Sequence, residues 1–217
     1  MRISLDCKAV LGIGEFSRGG LSWTPQKALD HDFGPIVKLT PFGILEPKTG
    51  ASKLWFVKGP ATADFMIDCV AEYLDQVKQT RPEINRLFIN SDNGPECSGQ
   101  RTQWLKRLVE LSRDKNILIQ LAYYPPYHSK YNPVERFWGV LENHWCGELI
   151  SSINKAIGLA KTMTYKKVSP IVCLVKTIYK KGIKLTKKEM VEVEQFIERK
   201  HGLEKYFFTI SPHSILG

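Results

Sequence analysis

The sequence RLFINSDNG at residues 86–94 places an apolar strand directly before an acidic turn, and it decides how the surrounding chain is interpreted. Amphipathic spacing on both sides of this strand predicts helices, and a second apolar strand follows the later helix. Thr62 is a suitable N-cap for the earlier helix. The predicted order is helix 62–78, strand 86–91, helix 99–113, strand 117–122 and helix 133–149.

The chain that precedes this alternating region predicts strands. Residues 2–10 alternate, so that Ile3 and Leu5 would face one side of a sheet and Asp6 the other. Further extended pieces are predicted over residues 10–16, 36–45 and 54–58. Strands that come first and alternate with helices later are typical of an α/β fold with a mixed sheet flanked by helices.

The last third of the chain differs from the rest in charge. Residues 151–217 hold 13 Lys and Arg against 5 Asp and Glu, whereas residues 1–150 carry a net charge of only +1. A strand over residues 168–179 and a helix over residues 186–200 are predicted here, and the helix begins with a T-x-x-E capping box. We therefore expect a main domain over residues 1–150 and a small basic extension over residues 151–217, packed on it or continuous with it.

The composition is that of a globular protein. The 217 residues are 43% hydrophobic and 24% charged, which excludes a disordered or fibrous chain. The net charge of +9 favours a polyanionic partner, and charge alone leaves nucleic acid and an anionic membrane surface open. No apolar run reaches the ~18 residues of a membrane span, so we expect no membrane protein. The basic excess is either a solvated face or a phosphate-tracking surface with Lys187 and Lys188 as contacts.

Five widely spaced cysteines are present. Their odd number and the lack of a C-x-x-C pair argue against a zinc ribbon and against a disulfide framework. We expect them to be small buried side chains of a protein in a reducing compartment.

Three carboxylates stand at positions where each also has an ordinary explanation. Asp6 lies within the first strand, where it would otherwise be an exposed charge on an edge strand. Asp92 follows a strand, and Asp-Asn-Gly is common turn chemistry. Glu135 falls in the first turn of the helix 133–149, where it can complete a capping box with Asn132.

Taken together, Asp6, Asp92 and Glu135 can meet at one edge of a mixed sheet, because loops and helix starts gather at the carboxyl ends of strands. Three unpaired carboxylates repel one another unless cations lie between them. Mg²⁺ prefers oxygen ligands and is usually completed by substrate phosphate, and two such ions support displacement at phosphorus. The sequence therefore predicts a site for phosphate chemistry in a basic protein.

Three segments that contain these acids resemble DDE-type transposases. The last of them is similar to an element of mariner-like and related insertion-sequence enzymes, with its Pro pair, Asn-Pro, Glu and Trp in register. The segments are SLDCK at residues 4–8, DNG at residues 92–94 and PPYHSKYNPVERFW at residues 125–138. A closer resemblance, to the ISAzo-type bacterial transposases, extends over almost the whole chain. It rests on FSRGG (16–20), HDF (31–33), PFG (41–43), TADF (62–65), YPP (124–126) and GIKLT (182–186).

The resemblance implies an RNase H-like fold with a five-stranded mixed sheet flanked by helices. It implies that Asp6, Asp92 and Glu135 form the catalytic and metal-binding triad and hold two Mg²⁺ ions, for which Mn²⁺ can substitute. Glu142 is the competing third acid, but only Glu135 lies in the Asn-Pro-x-Glu frame. The implied activity is cleavage of DNA at a transposon end, followed by transfer of the freed 3′-hydroxyl to target DNA.

The same resemblance implies DNA partners (transposon ends and target), a homo-oligomer in a synaptic complex, no membrane, and a bacterial cytoplasmic location associated with the nucleoid. Lys8 and Arg136 flank triad acids and are candidate DNA contacts. His128 and Lys130 are further candidates, although an ordinary exposed loop explains them equally well. Trp138 is expected to pack in the core rather than to stack on a base.

Two further expectations concern the first part of the chain. His31 and Asp32 are expected to make a structural hydrogen bond rather than to bind metal. Related transposases usually carry an N-terminal helix-turn-helix region, and only five residues precede Asp6, so we expect a catalytic portion. The alternative is a truncated or domesticated fragment that binds DNA or protein without cutting. A third hypothesis, an RNase H-like nuclease for RNA or branched DNA, is disfavoured by the Pro-Pro-Tyr…Asn-Pro-x-Glu element.

Overall fold

The computed structural model describes residues 1–17, 19, 21, 27–28, 34–35, 37–125 and 128–215. The predictions for His31 and Asp32 lie outside these residues, as do Arg18, Gly20, Phe33, Pro126 and Tyr127 of the quoted segments. The described strands are β1 (Arg2–Cys7), β2 (Leu11–Ile13), β3 (Val37–Leu45), β4 (Ser52–Lys58), β5 (Arg86–Ser91), β6 (Leu118–Tyr123), β7 (Ile171–Val175), β8 (Ile197–Arg199) and β9 (Phe207–Ile210). The described helices are α1 (Ala63–Thr80), α2 (Thr102–Lys115), α3 (Pro133–Trp145), α4 (Ile153–Thr162) and α5 (Lys187–Glu194), and a 3₁₀ turn covers Ser129–Tyr131.

These strands form one mixed sheet in the order β7-β4-β3-β1-β5-β6-β9-β8, with β2 paired to β3. β1, β5 and β6 are parallel neighbours, and β3 is antiparallel to both β1 and β4. The run β4-β3-β1-β5-β6 is therefore the mixed core expected of an RNase H-like fold. The predicted α/β class with a helix-flanked mixed sheet is confirmed. The sheet is larger than the expected five strands, because β7 extends one edge and β9 with β8 extends the other.

Both faces of the sheet are buried against helices. Ile3 and Leu5 are completely buried on the face covered by α1 and α2. Leu54 and Phe56 are completely buried in the opposite cluster, with α3 and α4. Because successive side chains of a strand point to opposite faces, the alternation in β1 that buries Ile3 and Leu5 leaves Ser4 and Asp6 on the α3 side.

The helices begin and end close to the predicted positions. Thr62 is the N-cap of α1, since its hydroxyl accepts a hydrogen bond from the Phe65 N–H at 3.3 Å, as predicted. α2 begins at Thr102 rather than at residue 99. Gly99 instead belongs to the preceding loop, where its N–H donates to Asn93 Oδ1 at 3.2 Å and the Lys205 carbonyl leaves no room for a side chain. α3 ends at Trp145 rather than at residue 149.

The C-terminal third differs most from its prediction. The capping box of Thr186 and Glu189 is present, but α5 ends at Glu194 rather than at residue 200. The helix stops because Ile197 is buried and pairs with Ile210 of β9, which draws the following residues into the sheet as β8. Neither β8, β9 nor α4 was predicted. Residues 151–217 thus contribute three strands to the same sheet, and the domain boundary at residue 150 stays a prediction.

The burial of the five cysteines can be compared with the expectation from the sequence. All five cysteines are free thiols, but only Cys69 and Cys97 are buried. Cys7 and Cys173 are half-buried and Cys146 is exposed, so the expectation that all are buried is wrong for these three. The position of Cys146 at the end of α3, beyond the apolar stripe of the helix, accounts for its exposure.

None of the helices in the described ranges combines the length and apolar character that a bilayer span requires.

Candidate active site

The carboxyl ends of β1 and β5 bring two aspartates to the same edge of the sheet. The two strands are parallel neighbours, and Ser4 pairs with Asn90. Extending this register by two residues aligns Asp6 with Asp92, and adjacent strands lie about 4.8 Å apart. Asp6 is half-buried, and the Cys7 N–H donates to its Oδ1 at 2.7 Å.

Among the described residues of the loop after β5, no backbone N–H donates to the Asp92 carboxylate. Asn93 makes the local bond instead, because its side chain accepts the Gly99 N–H. Within the described ranges, the one hydrogen bond of the Asp92 carboxylate comes from the Cys97 thiol, with Sγ 3.7 Å from Oδ1. Ordinary turn chemistry therefore does not account for the Asp92 side chain.

The start of α3 is fixed to β1 by a buried polar cluster. The Ser4 hydroxyl donates to Asn132 Oδ1 and accepts the Val134 N–H at 3.0 Å. Asn132 Nδ2 donates to the Leu5 carbonyl at 3.2 Å. Ser4 and Asn132 are 0% and 1% exposed, so these bonds are made without competition from water. They place the first turn of α3, and with it Glu135, beside the strand that carries Asp6.

The capping alternative for Glu135 is excluded by the same contacts. Asn132 occupies the N-cap position of α3 but makes no side-chain cap bond, because its amide is used on β1. The Glu135 carboxylate makes no hydrogen bond or ion pair within the described part of the chain, and it is half-buried. It is therefore free of a local structural role.

The competing acid, Glu142, lies in a different environment. Its Oε1 pairs with Lys8 Nζ at 2.7 Å, and the Lys8 side chain is 13% exposed. The ion pair neutralises Glu142 and occupies a lysine that the sequence names as a DNA contact. Glu142 therefore differs from Asp6, Asp92 and Glu135, which form no ion pair with the described residues.

Asp6, Asp92 and Glu135 interact through their charges. Burial is the largest cause that raises the pKa of Asp6 from 3.8 to about 8, and the negative charges of Asp92 and then Glu135 add to it. The Cys7 N–H and the indole of Trp138 act in the opposite direction. Trp138 Nε1 makes no hydrogen bond of ordinary geometry with the described residues, so its effect on Asp6 is that of a nearby dipole.

The donor set suits a hard divalent cation. Carboxylate oxygens are the ligands that Mg²⁺ prefers, and two of the acids already raise the pKa of the third, which a bound cation would reverse. Across the described ranges, however, no group of three His, Cys, Asp or Glu side chains is close enough to hold a metal ion. Asp6, Asp92 and Glu135 therefore lie at one edge of the sheet and influence one another through their charges. Their carboxylates are not close enough together to bind one metal ion.

A cavity of about 250 Å³ opens beside the two aspartates. Asp6, Asp92 and Glu96 border it together with the thiols of Cys7 and Cys97. Burial raises the pKa of both thiols, that of Cys97 to about 12, so both remain uncharged near neutral pH. The two thiols therefore form an uncharged wall of the cavity.

Trp138 closes the other side of Asp6. Gly43 pairs with Asp6 across β1 and β3, and a Cβ at this glycine would lie 2.6 Å from the Trp138 ring. Only glycine therefore lets the indole reach the strand beside Asp6. Trp138 is 3% exposed, which confirms that it packs in the core.

The remaining candidate DNA contacts are exposed but not all gathered at this edge. Arg136 projects from the first turn of α3, next to Glu135. Lys130 Nζ lies 5.3 Å from the centre of the Tyr131 ring, on which His128 stacks at 5.8 Å. Lys187 and Lys188 are exposed at the start of α5.

Sequence reasoning missed the residues that position the acids. Ser4, Asn132 and Gly43 have no charge and lie in segments whose local patterns explain them as strand, helix cap and strand. One signal was present, since Ser4 is a polar residue on the same face as Asp6 in an otherwise apolar strand. A polar side chain on a buried face requires a partner, and the partner is Asn132.

The family model of the Rhodopirellula transposase DDE domain matches residues 1–212. No curated protein matches the chain. A solved structure, the Mos1 transposase paired-end complex with the left transposon end, has a TM-score of 0.49 and 13% identity, over 70% of this chain and 44% of that chain. The present chain therefore spans less than half the length of that transposase chain.

Proposed function

Because the chain belongs to the family of the Rhodopirellula transposase DDE domain, we propose that it cleaves DNA and transfers the freed strand in DNA transposition, using divalent cations. The observation that carries this proposal is the convergence of three acids. Asp6 and Asp92 end adjacent parallel strands, and the Ser4–Asn132 contact holds the first turn of α3, with Glu135, against the same strand.

Asp6, Asp92 and Glu135 would hold Mg²⁺, or Mn²⁺ in its place. The bound cation would supply charge neutralisation at a scissile phosphate and a lowered pKa for an attacking water. In this proposal the chain's own residues keep the three carboxylates on one edge, and the Cys7 N–H orients the Asp6 carboxylate. Trp138 packs on one side of Asp6, and the uncharged thiols of Cys7 and Cys97 line the cavity on the other.

The proposed reaction has two displacements at phosphorus. Water first attacks the phosphodiester at a transposon end, the P–O bond to the 3′ oxygen breaks, and this oxygen leaves as a 3′-hydroxyl. That hydroxyl then attacks a phosphodiester of target DNA, and a target 3′ oxygen leaves with its proton. Bonds made and broken balance in each step, so no further reactant is required.

A cleavage assay tests the proposal. The chain is incubated with supercoiled DNA and Mg²⁺ or Mn²⁺, and Asp92→Asn is compared with Asp114→Asn, which removes an exposed carboxylate at the end of α2. We expect Asp92→Asn to lower nicking by about a thousandfold, because the cation supplies several kcal/mol, while DNA binding persists or tightens. Asp114→Asn should cut as the parent does. Equal nicking by Asp92→Asn and the parent would reject the proposal.

The alternative function is DNA or protein binding without cutting, as a truncated or domesticated fragment. The spacing of the acids beyond ligand distance favours it. Folded parent protein that binds DNA but shows no nicking with Mn²⁺ would support this alternative against the enzyme.

DNA is the proposed partner, as transposon end and target, and a homo-oligomer in a synaptic complex is proposed with it, in the bacterial cytoplasm at the nucleoid. Lys187 and Lys188 are proposed phosphate contacts. Reversing both charges should make the fall of log affinity with log salt shallower by about 2, since each phosphate contact contributes about 0.9. An unchanged slope would remove these lysines from the DNA surface.

A further inference from the structure

The segment between β7 and α5, residues 176–186, has neither helix nor strand and is strongly basic. Within its sequence KTIYKKGIKLT, the four side chains of Lys176, Lys180, Lys181 and Lys184 are all exposed. We name this segment the lysine strap. The preceding proposals assign it no role.

The strap starts at the edge of the sheet that carries the acids. β7 is parallel to β4, and β4 runs in the same direction as β1 because β3 is antiparallel to both. The strap therefore leaves β7 at the carboxyl edge. At its far end the Leu185 N–H donates to the Thr102 hydroxyl, at the first residue of α2, over 3.0 Å.

Between these ends the strap is attached to the start of α1. The ring of Tyr179 meets that of Phe65 edge-on at 5.5 Å, and its hydroxyl donates to Asp68 Oδ2 at 2.9 Å. Gly182 has a φ of +76°, a value that favours glycine, and it turns the chain there. These contacts hold the backbone of the strap at Tyr179 and Leu185 while the four lysines are exposed.

The strap passes next to the acid cavity. Lys180 and Ile183 border a small cleft together with Glu96. Glu96 also borders the cavity that contains Asp6 and Asp92. Glu96 therefore contributes to both the cleft at the strap and the cavity of the acids.

Arginines pair with three of the carboxylates near the strap, and a fourth, Glu189, accepts the Thr186 N–H of the strap at 2.7 Å. Arg107 pairs with Asp68 at 2.6 Å and with Asp64 at 3.4 Å, and Arg101 pairs with Glu96 at 3.2 Å. None of the strap lysines has a carboxylate partner within ion-pair distance in the described ranges. The strap lysines are therefore exposed, without direct ion pairs among the described residues, and lie near the cavity that contains Asp6 and Asp92.

We propose that the lysine strap is a binding site for the phosphate backbone of duplex DNA and guides a strand to the acid cavity. The proposal rests on the proposed function, since it assumes that DNA is the substrate. An anionic membrane is the less suitable partner, because interfacial anchors present an amphipathic helix and the strap is not helical.

The test uses the full chain and a duplex of mixed sequence, without divalent cations so that cleavage does not interfere. The triple variant Lys180→Gln/Lys181→Gln/Lys184→Gln is compared with Lys48→Gln/Arg86→Gln/Lys167→Gln. The control removes three exposed positive charges at the other edge of the sheet, in the β3–β4 turn, at the start of β5 and next to the Tyr165–Val168 bridge. Thermal unfolding of both variants verifies that they are folded.

We expect the strap variant to make the slope of log affinity against log salt shallower by about 2 to 3, and the control by less than about 1. Equal changes in the two variants, or an unchanged slope in the strap variant, would overturn the proposal. A single Lys181→Glu exchange should weaken binding in the same direction, and unchanged binding would count against the strap. Equal loss of binding to phosphatidylserine vesicles and to DNA would also reject a DNA-specific site.

The outcome separates this proposal from the proposed function. Nicking by the parent with unchanged binding by the strap variant leaves the enzyme in place and removes the strap. Strap-dependent DNA binding without any nicking by the parent supports the strap and removes the enzyme.

Discussion

The carboxylates of Glu46 and Asp6 lie in shielded positions at opposite edges of the same sheet. They differ in whether a positively charged side chain pairs with them. Glu46, just after β3, is 4% exposed, and its carboxylate accepts hydrogen bonds from Arg81 Nη1 and Nη2 at 2.9 and 2.7 Å. Asp6, at the other edge, faces two further acids and no cationic side chain among the described residues, and its pKa rises to about 8. The protein therefore neutralises one acid internally and leaves the other uncompensated. The uncompensated acid is the one expected to meet an external cation.

The largest expected effect on the free energy of unfolding comes from removing Arg81, the positive side chain that pairs with Glu46. Arg81→Met leaves Glu46 buried without a partner, which should lower the free energy of unfolding by about 2–3 kcal/mol. Urea unfolding measures it. Arg86→Met, at an exposed arginine of β5 without an ion pair in the described ranges, is the control. Adding Glu46→Gln to Arg81→Met should recover part of the loss, and a fully stable Arg81→Met would erase the contrast between the two edges.

At Asp6, in contrast, we expect a substitution to raise the free energy of unfolding. The folded protein retains the Asp6 proton up to about pH 8, whereas the unfolded chain releases it near pH 3.8. Because the folded state binds more protons in this window, Asp6 lowers the free energy of unfolding progressively as pH rises from about 4 to 8. Without divalent cations, Asp6→Asn should therefore stabilise the protein at pH 8 by roughly 1–3 kcal/mol.

The pH dependence supplies the control for this prediction. The difference between Asp6→Asn and the parent should vanish below pH 4, where Asp6 is protonated in both states. Asp114→Asn should show no such trend. A destabilised Asp6→Asn at pH 8 would mean that the charge of Asp6 is compensated after all.

A smaller effect is expected from the cluster that positions α3. Ser4→Ala removes the partner of buried Asn132 and of the Val134 N–H, which should cost about 1–2 kcal/mol in unfolding free energy. If Glu135 acts as proposed, nicking should slow while DNA binding is unchanged. Ser152→Ala, which removes the cap bond to the Lys155 N–H of α4, should affect stability only. Equal nicking rates for both variants would contradict a positioning role for Ser4.

The smallest expected effect is the stabilisation of the folded protein by bound Mg²⁺. Mg²⁺ at ten times its dissociation constant should stabilise the parent by about 1.4 kcal/mol, measured as a rise in Tm. The Arg81→Met variant should gain the same amount, because Glu46 lies at the other edge. Equal stabilisation of Asp92→Asn would locate the cation elsewhere on the protein.

Periodicity predicted most of the central sheet and its helices. The strand over Arg86–Ser91 and the cap at Thr62 follow from local pattern, and both are confirmed. The end of α5 was not predictable in this way, because residues 197–199 become a strand only through pairing with residues near the end of the chain. Tertiary pairing of this kind leaves no helical or strand signature in a short window.

The candidate site divides in the same manner. Asp6, Asp92 and Glu135 were named from their segments, and their role as metal ligands stays a prediction. Ser4 and Gly43 were not named, since their importance comes from Asn132 and Trp138, which lie about a hundred residues or more away in the chain. Sequence patterns identify charged groups more readily than the uncharged residues that hold them.

The pairing of β6 with β9 has a consequence for biosynthesis. During translation, the parallel core β1-β5-β6 can assemble long before Phe207–Ile210 leave the ribosome. Until then one side of β6 presents unpaired backbone groups next to apolar residues, a surface that invites association between nascent chains. Pairing of Phe207–Ile210, with the fully buried Phe208, covers this side of β6 and removes that surface.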